Sequence, residues 1–389
     1  MSNKRKVCVI TGSRADYGLL KFIIREIDEN NQLELQIIAT GSHLSPSFGN
    51  TFQEIEEDGF TITKKIPILG EKDSSDEVVS SISDAMVFFK ESYNELKPDM
   101  IVVLGDRYEI FAAVVAAYTS KIPVTHIHGG ELTEGAYDEA FRHSITKMSH
   151  LHFATTREYM NRVIQLGEEP SRVFNYGAPG LEAIKRLDLI NKEDLEKELG
   201  MCFKKKNILV TYHPETLNIE LSPQQQIAIL LLAIEDLDDI NFIFTKANAD
   251  TGGLRINEKI EEFIDKRSNC VLFDSLGQKK YFSLLQYIDG VVGNSSSGII
   301  EVPSFKIGTV NIGKRQKGRV KSKSIIDVEL NTEDIKAAIS SLYSEDFRND
   351  CLGEENPYGN GETSKKIVDT INKFNKDRLM IKSFYDLKQ

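Results

Sequence analysis

Residues 126–143 read HIHGGELTEGAYDEAFRH, placing His126, His128 and His143, four carboxylates and Arg142 around the Gly129-Gly130 pair. Carboxylates and imidazoles gathered at a strand end are groups that give and take protons, and a guanidinium among them holds or polarises an oxygen. Asp138 and Arg142 are four apart and share one face of a helix, with Phe141, Ile145 and Met148 as its apolar stripe. His126 and His128 alternate along a strand, so only one of them faces a cleft readily. Metal ligands drawn from opposite strand faces fit poorly, and no metal is expected. Glu131, just past the glycine pair, turns into the cleft.

Three further stretches of the first half end an apolar run in chemistry-bearing residues. IVVLGDRYEI brings out Asp106 and Arg107 together, either as a working pair or as a structural ion pair. VITGSRADYG puts Gly12-Ser13-Arg14 at a strand–helix junction, with Arg14 a phosphate partner or a plain surface arginine. That loop lacks the spaced glycines of a dinucleotide fingerprint and the Gly-Lys-Ser/Thr ending of a P-loop. ATGSHLSPSFGNT sets His43 in a loop turned by Gly41 and Gly49.

The second half carries GVVGNSSSGIIEVPSF, a buried strand running into Asn294-Ser295-Ser296-Ser297 and a helical start. Hydroxyls and free N–H groups at a helix N-terminus suit an anion, although a serine-rich cap without a ligand has the same pattern. Glu301, about one turn in, reaches a ribose diol or lies solvated. In VTYHPET, His213 closes a strand before Pro214 and is either a diphosphate donor or a core histidine.

These residues need strand ends to hold them. Apolar runs at Lys6–Thr11, Leu33–Ala39, Met100–Leu104, Pro123–Ile127, Leu151–Ala154 and Arg172–Asn175 alternate with helical patterns such as Gly18–Glu29 and Tyr108–Ser120. Alternation restarts with Asn207–Tyr212, Asn241–Thr245, Cys270–Phe273, Gly290–Gly293 and Thr309–Ile312. The reading is an α/β fold of two Rossmann-like domains facing a cleft, 1–178 and 179–389, hinged at the turn-rich NYGAPGLEAI. The tail from Thr363 onward reads as helical and basic, packing across the hinge toward the first domain. A net charge of -11 argues against a nucleic-acid binder. No apolar run reaches the ~20 residues that span a bilayer. Cys8, Cys202, Cys270 and Cys351 are scattered as reduced thiols of a cytoplasmic protein would be.

GSRADYG, GSHLSPSFGNT, LGDRYE, HIHGGELTEGAYDEAFRHSITKMSH, HPET and GNSSSGIIE stand in the order seen in hydrolysing UDP-N-acetylglucosamine 2-epimerases, which the chain resembles from about residue 5 to about residue 360. The resemblance implies a glycosyltransferase-B-like fold, no cofactor, and conversion of UDP-GlcNAc and water to UDP and ManNAc through a 2-acetamidoglucal. It implies catalytic carboxylates at Asp106, Glu131 and Asp138, with Arg142 positioning the sugar in the N-terminal domain. Diphosphate contacts fall on Arg14, His213, Ser295 and Ser296, the ribose contact on Glu301, and the uracil contact on the backbone near Leu276. Arg107, His43 and Arg315 are further sugar or phosphate contacts. Mammalian-type and non-hydrolysing relatives carry a Glu two residues after the first His of the HIH strand, where this chain has His128. Its role passes to His128, Glu131 or a neighbour. The Gly-Thr-Arg-Pro-Glu loop of the non-hydrolysing branch is absent. A homo-oligomer, dimer or tetramer, is expected. Two alternatives stay open: the hydrolysing epimerase of UDP-N,N'-diacetylbacillosamine, and a glycosyltransferase of the same fold.

Overall fold

Strands covered by helices on both faces run to apolar residues, and several strands here are buried at every position. In the computed structural model this holds for β4 (Met100–Leu104), β5 (Val124–Ile127), β6 (Leu151–Ala154), β11 (Gly290–Gly293) and β12 (Gly308–Ile312). The structure describes residues 4–46, 49–68, 75–132, 138–215, 220–247, 252–374 and 380–387. The other strands are β1 (Arg5–Thr11), β2 (Leu33–Thr40), β3 (Lys64–Ile66), β7 (Val173–Asn175), β8 (Asn207–Thr211), β9 (Asn241–Thr245), β10 (Cys270–Phe273) and β13 (Ile325–Val328). The chain divides into two units, Met1–Ala183 with Gly361–Gln389, and Ile184–Asn360.

The first unit holds a parallel seven-stranded sheet of order β3-β2-β1-β4-β5-β6-β7. The order turns back at β1, which pairs with both β2 and β4. The loops after β1 and β4 therefore diverge and leave a crevice at their carboxyl ends, where open α/β sheets bind ligands. Helix Arg14–Asp28 lays Tyr17, Leu20, Ile24 and Ile27 on one face of the sheet. On the other face, Phe89 and Tyr93 pack with Ile110, Val114 and Ile145. The second unit repeats the scheme in six parallel strands, β10-β9-β8-β11-β12-β13, with its turning point between β8 and β11.

Several expectations need adjusting. The first helix starts at Arg14, because the Ser13 side chain accepts the Asp16 N–H and caps it there. The edge strands β3 and β13 have no counterpart in the sequence reading; one is three residues long and neither is fully buried. The tail is helical only over Ser364–Lys373, residues 380–387 run on without helix, and 375–379 and 388–389 lie outside the described residues. The segment from Gly361 lies with the first unit. The reason is an apolar stripe, Ile367, Val368 and Ile371, buried in the same core as Ile24 and Ile27. Among the described residues no helix is long and apolar enough to cross a membrane.

Candidate active site

Arg142, 4% exposed, stands near the start of helix Asp138–Met148 and ties three segments together. One guanidinium nitrogen donates to the Glu131 carbonyl at 2.8 Å and to Glu139 Oε2 at 3.1 Å. The other is ion-paired with Asp106, at the mouth of β4. Glu131 is itself buried; its Oε1 accepts from the Thr155 hydroxyl at 3.0 Å and lies 2.8 Å from His128 Nδ1. Among the described residues His128 Nε2 is buried without a hydrogen-bond partner. Asp138 completes the group at the first position of the helix. Burial, then the neighbouring Asp106 charge, pushes its carboxyl up to about 6, against the opposing pull of Arg107 and Arg142. A group titrating there takes or gives a proton near neutral pH.

The two histidines do not alternate as expected, because β5 ends at Ile127 and His128 lies beyond it with φ of +66°. That left-handed conformation, unusual for a residue with a Cβ, aims Nδ1 at Glu131 rather than continuing the strand. His126 is fully buried and packs on Gly129. Its Nε2 lies 2.8 Å from the Gly105 carbonyl, which can only accept, so Nε2 carries the proton and Nδ1 faces the Thr146 hydroxyl at 3.2 Å. Burial holds this imidazole down to about 3, so it stays neutral and fixes the backbone just before Asp106. Among the described residues no group of three His, Cys, Asp or Glu is placed to hold a metal ion.

Beside this group Arg107 Nε meets Glu109 Oε1 at 2.5 Å, and the Glu109 carboxylate keeps the guanidinium charged. Glu109 is wholly buried against Gly12 and Gly41; a Cβ at Gly12 would come within 2.6 Å of its Oε1. Asp16 lies within range of both charges, and burial raises its carboxyl to about 6. His43, expected at a sugar or phosphate, is fully buried with both nitrogens taken, at 2.9 Å, by the Thr11 and Thr51 hydroxyls. It serves as a strut between the loops after β1 and β2, and burial lowers it to about 4. Arg14 is exposed and pairs with Glu54 at 2.9 Å.

In the second unit the Asn294 side chain bridges β8 and β11: Oδ1 accepts the His213 N–H and Nδ2 donates to the His213 carbonyl, each at 2.8 Å. Gly293 must lack a side chain, since a Cβ there would fall 1.9 Å from the Thr211 carbonyl. Ser295, Ser296 and Ser297 follow, with Ser297 Oγ 2.6 Å from the Tyr281 hydroxyl. The helix they open is a single turn, Ser297–Ile300, with Glu301 at its end. The Gly298 and Ile299 N–H groups are spent on the Ser295 and Ser296 carbonyls. A one-turn helix brings little dipole, and the polar groups at this turn are chiefly the serine hydroxyls. Arg315 Nη1 reaches the Asn294 carbonyl at 3.4 Å, and Glu215 Oε1 accepts the Lys314 and Arg315 N–H groups. Leu276 is buried directly before helix Gly277–Leu285.

The structure thus brings Asp106, Glu131, Asp138, Arg142 and His128 together in the first unit, with Arg107 alongside and His43 behind. It brings His213, Ser295 and Arg315 to Asn294 in the second. Glu109, Asp16, Thr155 and Glu215 were not singled out in the sequence, and Asn294 was named there only as the head of the serine run. Two of the four carry a signal: Glu109 stands two residues after Arg107 and Asp16 two after Arg14.

Residues 25–372 match the family model described as UDP-N-acetylglucosamine 2-epimerase, and the chain belongs to that family. It is 46% identical over 387 residues to the GDP/UDP-N,N'-diacetylbacillosamine 2-epimerase (hydrolyzing) of Campylobacter jejuni, covering 99% of this chain and 100% of that protein. It is 40% identical to the polysialic acid biosynthesis protein P7 of Escherichia coli, covering 99% and 98%. Among solved structures it is similar to the UDP-GlcNAc 2-epimerase of Neisseria meningitidis bound to UDP-GlcNAc, with a TM-score of 0.82 at 19% identity over 95% of this chain and 100% of that one. The fold is glycosyltransferase-B-like α/β with two parallel sheets.

Proposed function

We propose that this chain converts UDP-N,N'-diacetylbacillosamine and water to UDP and the free 2-epimeric sugar, 2,4-diacetamido-2,4,6-trideoxymannose. The enzyme is a hydrolysing UDP-sugar 2-epimerase. What carries the chemistry is Arg142, held to Asp106 and to the Glu131 backbone, beside an Asp138 carboxyl poised at about 6. What favours the diacetamido sugar is the 46% identity to the Campylobacter enzyme over essentially both full lengths.

In the first step a base removes the C2 proton, its electron pair becomes the C1–C2 double bond, and the C1–O bond breaks with that pair leaving on UDP. In the second, water adds its hydroxyl to C1 and C2 takes a proton from the face opposite the one that lost it. Inversion therefore calls for proton-handling groups on both faces of the ring. We assign Asp138 to one face and the Glu131–His128 pair to the other. Arg142 fixes Asp106 and offsets negative charge as UDP departs. We assign the nucleotide to Ser295, Ser296, His213, Glu301 and the Leu276 backbone, with Arg315 as a guanidinium partner of the diphosphate.

The 40% identity to protein P7 favours a second reading, UDP-GlcNAc giving ManNAc. Incubation of the purified protein with each UDP-sugar in heavy water, followed by proton NMR, tests both. The expected result is free UDP and a diacetamido product deuterated at C2, with kcat/KM above that for UDP-GlcNAc. The reverse ratio selects the second reading. A product still protiated at C2 refutes elimination, and a glycoside formed only with an acceptor identifies a transferase.

A further inference from the structure

A buried charge cluster lies at the far end of the helix that carries Asp138 and Arg142, and the chemistry above does not use it. At its centre is Glu168, 1% exposed, whose Oε1 accepts from Lys147 Nζ at 2.6 Å. Its Oε2 accepts from His152 Nε2 at 3.0 Å and from Lys382 Nζ at 2.7 Å. Burial alone would raise this carboxyl, but His152, Lys147 and Lys382 hold it down to about 2.

Lys382 reaches the cluster from the last residues of the chain. Besides Glu168, its ammonium donates to the Lys147 carbonyl at 2.8 Å and to the Ser149 carbonyl at 2.5 Å. Three N–H donors thus meet three acceptors. Both carbonyls sit where helix Asp138–Met148 ends, at Lys147 inside its last turn and at Ser149 just past it. The final carbonyls of a helix lack intrahelical partners and carry the negative end of its dipole, so a cation there satisfies both.

The segment holding Lys382 is anchored on either side. Arg172 donates to the Ile381 carbonyl at 2.8 Å, and the Tyr385 N–H donates to the Gly167 carbonyl at 3.0 Å. The Phe384 ring lies on Gly167, where a Cβ would come within 2.4 Å of it, and Lys147 Nζ stands 5.0 Å above that ring. The helix is therefore held at three levels: Asp106 on Arg142, His126 on Thr146, and Lys382 on its last carbonyls.

We propose that Lys382 is a positioning residue for the epimerase reaction, fixing from behind the helix that presents Asp138 and Arg142. The proposal rests on the catalytic reading of those two residues. A displacement of ~1 Å in a reacting group costs about a hundredfold in rate. Even a partial loosening should therefore be visible in kcat, while UDP, assigned chiefly to the second unit, binds as before.

The test compares wild type, Lys382→Met and Lys382→Arg by UDP-sugar turnover, UDP inhibition and hydrogen exchange. Lys382→Met is expected to lower kcat tenfold or more, leave the UDP inhibition constant within twofold, and speed amide exchange in the Asp138–Met148 helix. Lys382→Arg, which keeps a cationic donor, should recover most of the loss. If Lys382→Met fails to fold, a chain truncated before Met380 replaces it, and the added peptide of residues 380–389 should raise its kcat. Unchanged kcat with unchanged helix exchange overturns the proposal, as does a loss that falls equally on UDP binding or a peptide without effect. Should wild type turn over no UDP-sugar, the functional reading fails, and helix exchange alone decides whether Lys382 holds the helix.

Discussion

Replacing Asp138 by Asn should make the protein more stable and the enzyme nearly inactive, and the stability gain should depend on pH. Asp138 moves from 3.8 to about 6 on folding, chiefly through burial and the Asp106 charge. The native state binds the proton more tightly than the unfolded chain, so stability falls as pH rises between those two values and is lowest once the carboxylate is fully ionised. Full burial would make that cost on the order of 3 kcal/mol, and solvent screening of a partly exposed side chain reduces it to about 1–2 kcal/mol. An amide in place of the carboxyl never ionises and escapes the cost. For a unit of this size about 1 kcal/mol moves the midpoint by roughly 2–4 °C. Thermal melts by circular dichroism should therefore show Asp138→Asn higher by about 2–8 °C at pH 8, with the gap closing by pH 4. Turnover should drop by ~100-fold or more, as for loss of a general acid or base. A melting gap of the same size at both pH values, or a variant less stable at pH 8, would refute the raised carboxyl.

Arg142→Lys cannot serve Asp106, Glu139 and the Glu131 carbonyl from one ammonium in the same fork; kcat should fall ~100-fold with secondary structure unchanged, checked by steady-state kinetics and circular dichroism. Glu168 is held down to about 2, so its stabilisation is complete above its unfolded value and fades only as pH falls toward 2. Glu168→Gln should show a deficit of about 3 kcal/mol in urea unfolding, level from pH 7 to pH 5 and shrinking only below that; a deficit that changes between pH 5 and pH 7 would exclude this origin. Gly293→Ala drives a methyl into the Thr211 carbonyl and should leave little soluble protein, measured as soluble yield beside wild type.

The central strands were legible because burial on both faces demands unbroken apolar runs, as in Met100–Leu104 and Gly290–Gly293. Lys64–Ile66 and Ile325–Val328 lie at sheet edges, where only one neighbour pairs and the apolar demand relaxes, so their pattern fades into the loops. At the site, residue types announced themselves but their partners did not. Asp106 and Arg142 could be named as charged groups at a strand end and on a helix face, yet their pairing joins different segments across the sheet. His43 read as a loop histidine, whereas Thr11 and Thr51 make it a buried strut. His128 read as a strand position, and only its left-handed backbone reveals why it meets Glu131. Lys382 is invisible to any local pattern, since its acceptors come from more than two hundred positions earlier.

The return of the chain to its first unit after Asn360 sets an order for biosynthesis. As the ribosome releases the polypeptide, residues 5–183 emerge with the sheet strands present but with Ile367, Val368 and Ile371 still to be translated. The apolar groove that those side chains fill stays wet until then. Ile184–Asn360, by contrast, emerges as one uninterrupted stretch holding all six strands of its sheet and can close in a single event. The half that starts first is thus finished last, and the nascent chain must keep an incomplete core soluble while the later half is being made.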